Sequence, residues 1–291
     1  MSSAVSKEHQ IAGQLAVLLT AFLWSTSGLF IKLLDWHPMV IVGIRGLISA
    51  VFILIMRMLF PSPAGAKNLP LPFWAGAIVY AGTIITFVIA VKITTAANAI
   101  ILQYSAPVWA ALLGWWLIKE KPHWEQWGAM VLVFVGLIIF LRNGLASGAL
   151  LGDGLATLSG IFFAANCVFL RMMKDGNPRD CLLLSHAICA FIGIPFIFIY
   201  PPTMTVPSLL SVIYMGVVQL GLASIIYAYG IKRISAVQAM LTATLEPICS
   251  PIWVFLIIGE KPSILALLGG GIIIAAVVIS SVIGKQREIQ Q

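Results

Sequence analysis

Two groups that ordinarily carry charge stand deep inside long apolar stretches of this 291-residue chain, Arg45 and Glu246. A charge held away from water costs a few kcal/mol or more, so such residues usually face an internal cavity or a partner. Arg45 can snorkel outward, pair with a carboxylate or bind a substrate anion. Glu246 can be a neutral acid bonded to a free carbonyl, or a ligand for a substrate or a proton. Pro247 follows it directly. A proline removes one backbone amide and frees the carbonyl four residues back, here that of Ala243. It also biases the preceding residue away from helical geometry. Pro251 is expected to repeat the break one turn later, and Pro107 to free the carbonyl of Gln103 in the same way. Broken helices meeting at mid-membrane depth are the best sequence pointer to a substrate site.

Polar and aromatic residues gather around these breaks. Asn98, Gln103, Tyr104 and Trp109 surround Pro107. Gln219 and Tyr227 are eight residues apart and share one helical face. Gln238, Thr242 and Glu246 are spaced by four and share another, with Trp253 beyond them. Trp24 and Asn166 complete the candidate substrate-binding set. The competing use of each amide is a hydrogen bond between helices. His186 is read as a packing residue. Trp115, Trp116, Trp124 and Trp127 are read as an aromatic belt at one membrane boundary, and Gly269-Gly270-Gly271 as a close-packing helix surface.

Several chemistries find no support. There is no Walker-type glycine loop and no zinc-like His/Glu cluster. No nucleophile–base pair can be assembled, so no catalytic residue, metal or cofactor is expected. Cys167, Cys181, Cys189 and Cys249 lack metal-ligand or redox spacing and read as small buried hydrophobes.

The elements that must position these groups follow from composition. Sixty per cent of the residues are hydrophobic and 9% are charged, against roughly 45–50% and about 25% in soluble domains. That excludes an ordinary soluble enzyme, a disordered chain and a disulfide scaffold. A net charge of +7 reflects basic residues beside a membrane, because no basic stripe interleaved with aromatics suggests nucleic acid. Ten apolar runs of transmembrane length are expected, at 11–34, 38–60, 71–91, 94–118, 124–141, 150–173, 180–200, 208–230, 235–258 and 263–284. They are continuously apolar, unlike the alternating segments of a membrane barrel, so the backbone must satisfy itself as helices. The first run is too long for a signal peptide and has bulky Trp24 where a cleavage site would fall. Glu246 then lies roughly 16 Å into the ninth span, close to the midplane, and Arg45 roughly 10 Å below the outer boundary.

Basic residues set the orientation. With the N-terminus inside, twelve of the seventeen Lys and Arg fall on the cytoplasmic side. Lys32, Lys92, Arg142 and Lys261 fall outside, and Arg45 within a span. The positive-inside rule therefore places both termini in the cytoplasm.

The chain also repeats itself. Shifted by 140, Lys92-Ile-Thr-Thr-Ala-Ala-Asn-Ala99 falls on Lys232-Arg-Ile-Ser-Ala-Val-Gln-Ala239. Pro107 falls on Pro247, and Glu120-Lys121-Pro122 on Glu260-Lys261-Pro262. Shifted by 139, Phe30 falls on Phe169 and Lys32 on Arg171. Five helices per copy is an odd number, so the second copy enters the membrane from the opposite face. The expected fold is all-α and integral to the membrane: ten helices in two five-helix inverted-topology repeats, the sequence signature of alternating access.

Lys232-Arg-Ile-Ser-Ala, Leu245-Glu-Pro247 and Gly259-Glu-Lys261, followed by a glycine-containing last span, resemble the EamA domain of the drug/metabolite transporter superfamily. The resemblance covers nearly the whole chain as two domains, 11–142 and 150–283. It implies a central cavity lined mainly by the third, fourth, eighth and ninth helices, with the first and sixth contributing. The first copy departs from the pattern, with Ser105-Ala106-Pro107 and Lys119-Glu120 where Leu-Glu-Pro and Gly-Glu are expected. The resemblance implies a secondary transporter in the inner membrane, with efflux of amino acids or related metabolites as the leading expectation. Efflux of hydrophobic cations, paired with one acid among aromatics, is the second, and uptake the third. A membrane-embedded enzyme or sensor is the remote alternative. The expected partners are a small-molecule substrate, the lipid bilayer and, as candidate coupling ion, the proton. Two repeats in one chain suit a monomer.

Overall fold

The computed structural model describes residues 2–61, 69–94, 96–141, 150–173, 176–258 and scattered positions from 264 to 279. The side chains of Asn98 and Pro251, the Glu260-Lys261-Pro262 motif and nearly all of the tenth run lie outside the described residues.

The described residues are all-helical, without strands. The first repeat contains α1 Ser2–Trp24, α2 Ser27–Leu33, α3 Pro38–Leu59, α4 Leu71–Ile93, α5 Ala96–Gln103, α6 Ala106–Ile118 and α7 Trp124–Leu141. The second contains α8 Leu150–Met172, α9 Pro178–Gly193, α10 Phe196–Ile199 and α11 Val206–Tyr214, which leads into a π-helix at Met215–Leu222. It continues with α12 Ala223–Ile231, α13 Ala236–Ala243 and α14 Glu246–Ile258. Among the described residues, six helical stretches are long and apolar enough to cross a membrane: Glu8–Leu33, Pro38–Leu59, Leu71–Ile93, Leu150–Met172, Pro178–Ile199 and Val206–Ile231. The shorter apolar helix α6 accompanies them. Outward-facing Leu112, Trp116, Ile138, Phe198 and Leu256 are exposed. Such an apolar exterior suits hydrocarbon rather than water.

Helix ends follow local chemistry. The Thr205 hydroxyl accepts from the Ser208 amide at 3.3 Å, and Ser208 Oγ accepts from the Thr205 amide at 2.9 Å, a reciprocal cap that opens α11. Ser235 caps α13 by accepting from the Gln238 amide at 3.2 Å. At the end of α6, Lys119 adopts a left-handed conformation with φ 59°, a position that favours glycine.

The predicted runs bend where the sequence offers a competitor for the backbone. The first run kinks at Ser25–Thr26, where the hydroxyls return to the carbonyls of Phe22 (2.6 Å) and Leu23 (2.9 Å). Both proline breaks are present, with a refinement. Each falls just before the proline, at Tyr104–Ser105 and at Thr244–Leu245. Pro107 and Pro247 sit in the first turn of α6 and α14, where a missing amide costs no helical bond. Glu246 is accordingly the first residue of α14 rather than a non-helical one. No second break occurs at Pro251, since α14 runs through it to Ile258. Its missing amide falls only five residues into α14, next to the end that already lacks partners.

The core is built by α4 against α8 and by α3 against α9. The second contact is very close. A Cβ added at Gly43 would sit 2.5 Å from the Gly193 carbonyl carbon, so the two backbones touch without intervening side chains.

Candidate functional site

The two breaks bring the halves together. Tyr104, at the end of α5, donates its hydroxyl to Glu246 Oε2 at 2.6 Å across 142 residues of sequence. Both side chains are buried, with exposures of 2% and 5%. The adjacent Gln103 donates to Ser159 Oγ at 2.8 Å, and Ser159 donates to the Thr83 carbonyl at 3.1 Å. This relay ties α5, α8 and α4 together. It needs α8 to run tight against the break: a Cβ at Gly160 would lie 2.5 Å from the Gln103 carbonyl oxygen.

Between these elements is a cavity with about 420 Å³ of atom-free space, its mouth included. Its polar wall carries Arg45, Gln103, Gln219 and Glu246, with Ser27 and Thr83. Its apolar wall carries Trp24, Tyr80, Phe87 and Phe163, with Ile84 and Leu220. The π-helix places Gln219 on the wall, and Gly216 in the same segment meets Ile48 of α3. Trp24 packs edge-on to Phe163 (5.4 Å) and tilted on Tyr227 (5.2 Å).

Arg45 is 2% exposed, yet its Nε and Nη1 have no hydrogen-bond partner. The ion pairs among the described residues are Arg57–Asp180 (3.3 Å) and Arg171–Glu120 (3.0 Å). Neither involves Arg45 or Glu246, so the two opposite charges line one cavity without meeting. Trp24 Nε1 and Gln219 Oε1 are likewise buried without partners. Unpaired donors and acceptors of this kind cost free energy unless water or a ligand meets them.

Of the sequence-predicted residues, the structure gathers Trp24, Arg45, Gln103, Gln219 and Glu246 on the cavity wall, with Tyr104 bonded to Glu246. Others have bracing duties. Asn166 donates to the Gly76 carbonyl at 3.1 Å, holding α8 to α4. Trp253 donates to Ser25 Oγ at 2.7 Å, bracing the kink in the first run. Trp109 donates to Ser105 Oγ at 3.2 Å, and Thr242 back-bonds to the Gln238 carbonyl at 2.8 Å. Gln238 and Tyr227 also lie outside the cavity lining, and Tyr227 backs the Trp24 ring. His186 packs as expected, 2.9 Å from Ser224 Oγ. The cavity is also lined by a face of α4 formed by Tyr80, Thr83 and Phe87, none of them among the sequence-predicted residues. Their i, i+3, i+7 spacing is the signal that could have found it.

The ends of the bundle are tied at repeat-related positions. Lys32 donates to the Thr94 carbonyl at 3.0 Å, and Lys92 to the Leu34 carbonyl. At the opposite ends Arg171, the counterpart of Lys32, donates to the Lys232 carbonyl at 3.1 Å.

Comparison with known proteins decides the family. The description "EamA-like transporter family" matches residues 11–142 and again 150–282. The chain belongs to the EamA-like transporter family. A protein of Archaeoglobus fulgidus described as an uncharacterized transporter is 25% identical over 97% of this chain and 99% of its own length. A probable terminal-alkyne amino-acid exporter of Streptantibioticus cattleyicolor is 24% identical, covering 66% of this chain and 67% of that protein. An S-adenosylmethionine uptake transporter of Rickettsia bellii is 26% identical over 64% and 63% respectively. A solved crystal structure superposes with a TM-score of 0.81 at 16% identity, over 94% of this chain and 98% of its own. That likeness establishes a shared fold. The chain is therefore a transporter with membrane-crossing helices, not an enzyme.

Proposed function

We propose that this transporter exports small polar or amphipathic metabolites, amino acids or related compounds foremost, by alternating access through the cavity between its repeats. The carrying observation is the cavity itself, which meets the paired breaks, joins both repeats through Tyr104 and Glu246, and mixes unpartnered polar groups with aromatic rings. In this reading the chain has ten spans in two inverted five-helix halves, 11–142 and 150–283. Both termini lie in the cytoplasm and the protein works as a monomer in the inner membrane. Swapping the conformations of the halves moves the cavity mouth from one side to the other.

The cavity set is Trp24, Arg45, Gln103, Gln219 and Glu246, with Tyr104 as a positioning residue. Glu246 is the candidate proton carrier. A secondary transporter must draw on a solute or ion gradient, and Glu246 is the acid among the cavity's lining residues. The relative named as an amino-acid exporter supports the substrate class and direction, while the uptake transporter keeps the reverse direction as the second reading. The test is counterflow in proteoliposomes with amino acids, quaternary amines and nucleosides. Exchange of amino acids is expected. Exchange of quaternary amines alone would replace the substrate class, and silence across the panel would contradict the reading.

A further inference from the structure

The cavity contains two opposite charges held apart. Arg45 comes from α3 and Glu246 from the start of α14. Both are nearly inaccessible, both line the cavity, and they form no ion pair with each other. Tyr80 lines the same cavity as both. Tyr104 engages one carboxyl oxygen of Glu246, which orients that group. No comparable partner holds Arg45, whose Nε and Nη1 are both unbonded.

A buried guanidinium without a counter-charge is among the least favourable arrangements in a protein interior. An arginine kept for packing alone would gain from a carboxylate beside it, and the described residues place none there. Its planar donors match carboxylate geometry, through bonds stronger than neutral ones. The same cationic group opposes a quaternary amine or another purely cationic solute in this cavity. The rings of Trp24, Tyr80, Phe87 and Phe163 line the same cavity and suit the apolar body of a carboxylate-bearing solute.

We infer that Arg45 is a carboxylate subsite, so that the cavity takes small zwitterions with the acid group at Arg45 and the cationic nitrogen at Glu246. This rests on the cavity being the transport site and narrows the substrate to compounds bearing both groups.

The test titrates purified full-length protein with L-phenylalanine, L-phenylalaninamide, 3-phenylpropionate and 2-phenylethylamine, and with the matching leucine series, reading affinity by calorimetry. The zwitterion is expected to bind tightest in at least one series. Loss of its carboxylate should weaken binding at least tenfold, about 1.4 kcal/mol. Arg45→Gln should bring the zwitterion down to the level of the amide, and Arg45→Lys should retain part of the difference. Glu246→Gln should weaken the amine-bearing ligands and leave 3-phenylpropionate unchanged. Without ligand, Arg45→Gln should melt no lower than wild type, because it removes an unpaired buried charge; a structural arginine would give a lower melting temperature. Should that variant fail to accumulate, the ligand series on wild type and Arg45→Lys decides. Equal affinity for zwitterion and amide overturns the subsite, and so does the absence of binding by every carboxylate-bearing compound. If counterflow of quaternary amines proceeds in that case, the transport site stands and only the subsite falls. Binding through Arg45 without any counterflow would do the reverse.

Discussion

Tyr104→Phe removes a single oxygen, and the structure indicates how much that oxygen matters. It donates at 2.6 Å to Glu246, in a site where both partners are almost fully buried and belong to different repeats. A hydrogen bond to a charged group is worth about 1.5–3 kcal/mol, and a buried acceptor left unsatisfied costs a similar amount. If the bond exists in one orientation of the halves and is broken in the other, its loss shifts that equilibrium by about 10- to 150-fold. The assay is a double-mutant cycle on initial counterflow rates for wild type, Tyr104→Phe, Glu246→Gln and the double variant. Each single variant should slow exchange at least tenfold. The double variant should be little slower than Glu246→Gln alone, giving a coupling of at least about 1 kcal/mol. Independent effects, additive to within about 0.5 kcal/mol, would refute the claim that this contact works as a unit across the repeats.

Three further outcomes are expected. Pro107→Ala and Pro247→Ala should each slow transport more than they reduce folded yield, because each lets two half-helices merge into one; normal rates in both would detach the breaks from the mechanism. Gly43→Ala places a methyl 2.5 Å from the Gly193 backbone. Separating α3 from α9 should lower stability by about 1–3 kcal/mol in thermal unfolding, and an unchanged transition would show that the close crossing is not required. Lys119→Gly relieves a left-handed residue at the end of α6 and should raise stability by about 1 kcal/mol, with a fall in melting temperature as the contrary result.

Much of this architecture was legible from residue types. The repeat aligned Pro107 with Pro247, and the structure breaks both helices within three residues of those positions. Arg45 and Glu246 stood out because charges inside apolar runs need a reason, and both face the cavity. The resemblance gave most of the lining but missed the second span, which contributes Arg45 through α3. Asn166, Thr242 and Trp253 illustrate the limit of pattern reading. A polar group in a membrane helix can face a cavity or join two helices, and spacing along one helix does not reveal which neighbour it meets. The Tyr80–Thr83–Phe87 face was hidden for the opposite reason, as its residues blend into a helix that is apolar on nearly every side. The π-helix around Gln219 had no local signal beyond its glycines, Gly216 and Gly221, which meet Ile48 and Phe52 of α3.

The central claim, that one cavity between the repeats opens alternately to the two sides, is tested most directly by thiol accessibility at Ser27. This residue lies on the cavity wall and is 3% exposed, and Ser27→Cys exchanges one atom. The parent chain, whose Cys167, Cys181 and Cys189 are buried and Cys249 half-buried, is the control. In sealed vesicles of either orientation, a membrane-impermeant maleimide should label the introduced thiol from both sides. Adding transported substrate should change the two rates in opposite directions. Labelling from one side only, at a rate that substrate leaves unchanged, would contradict alternating access through this cavity.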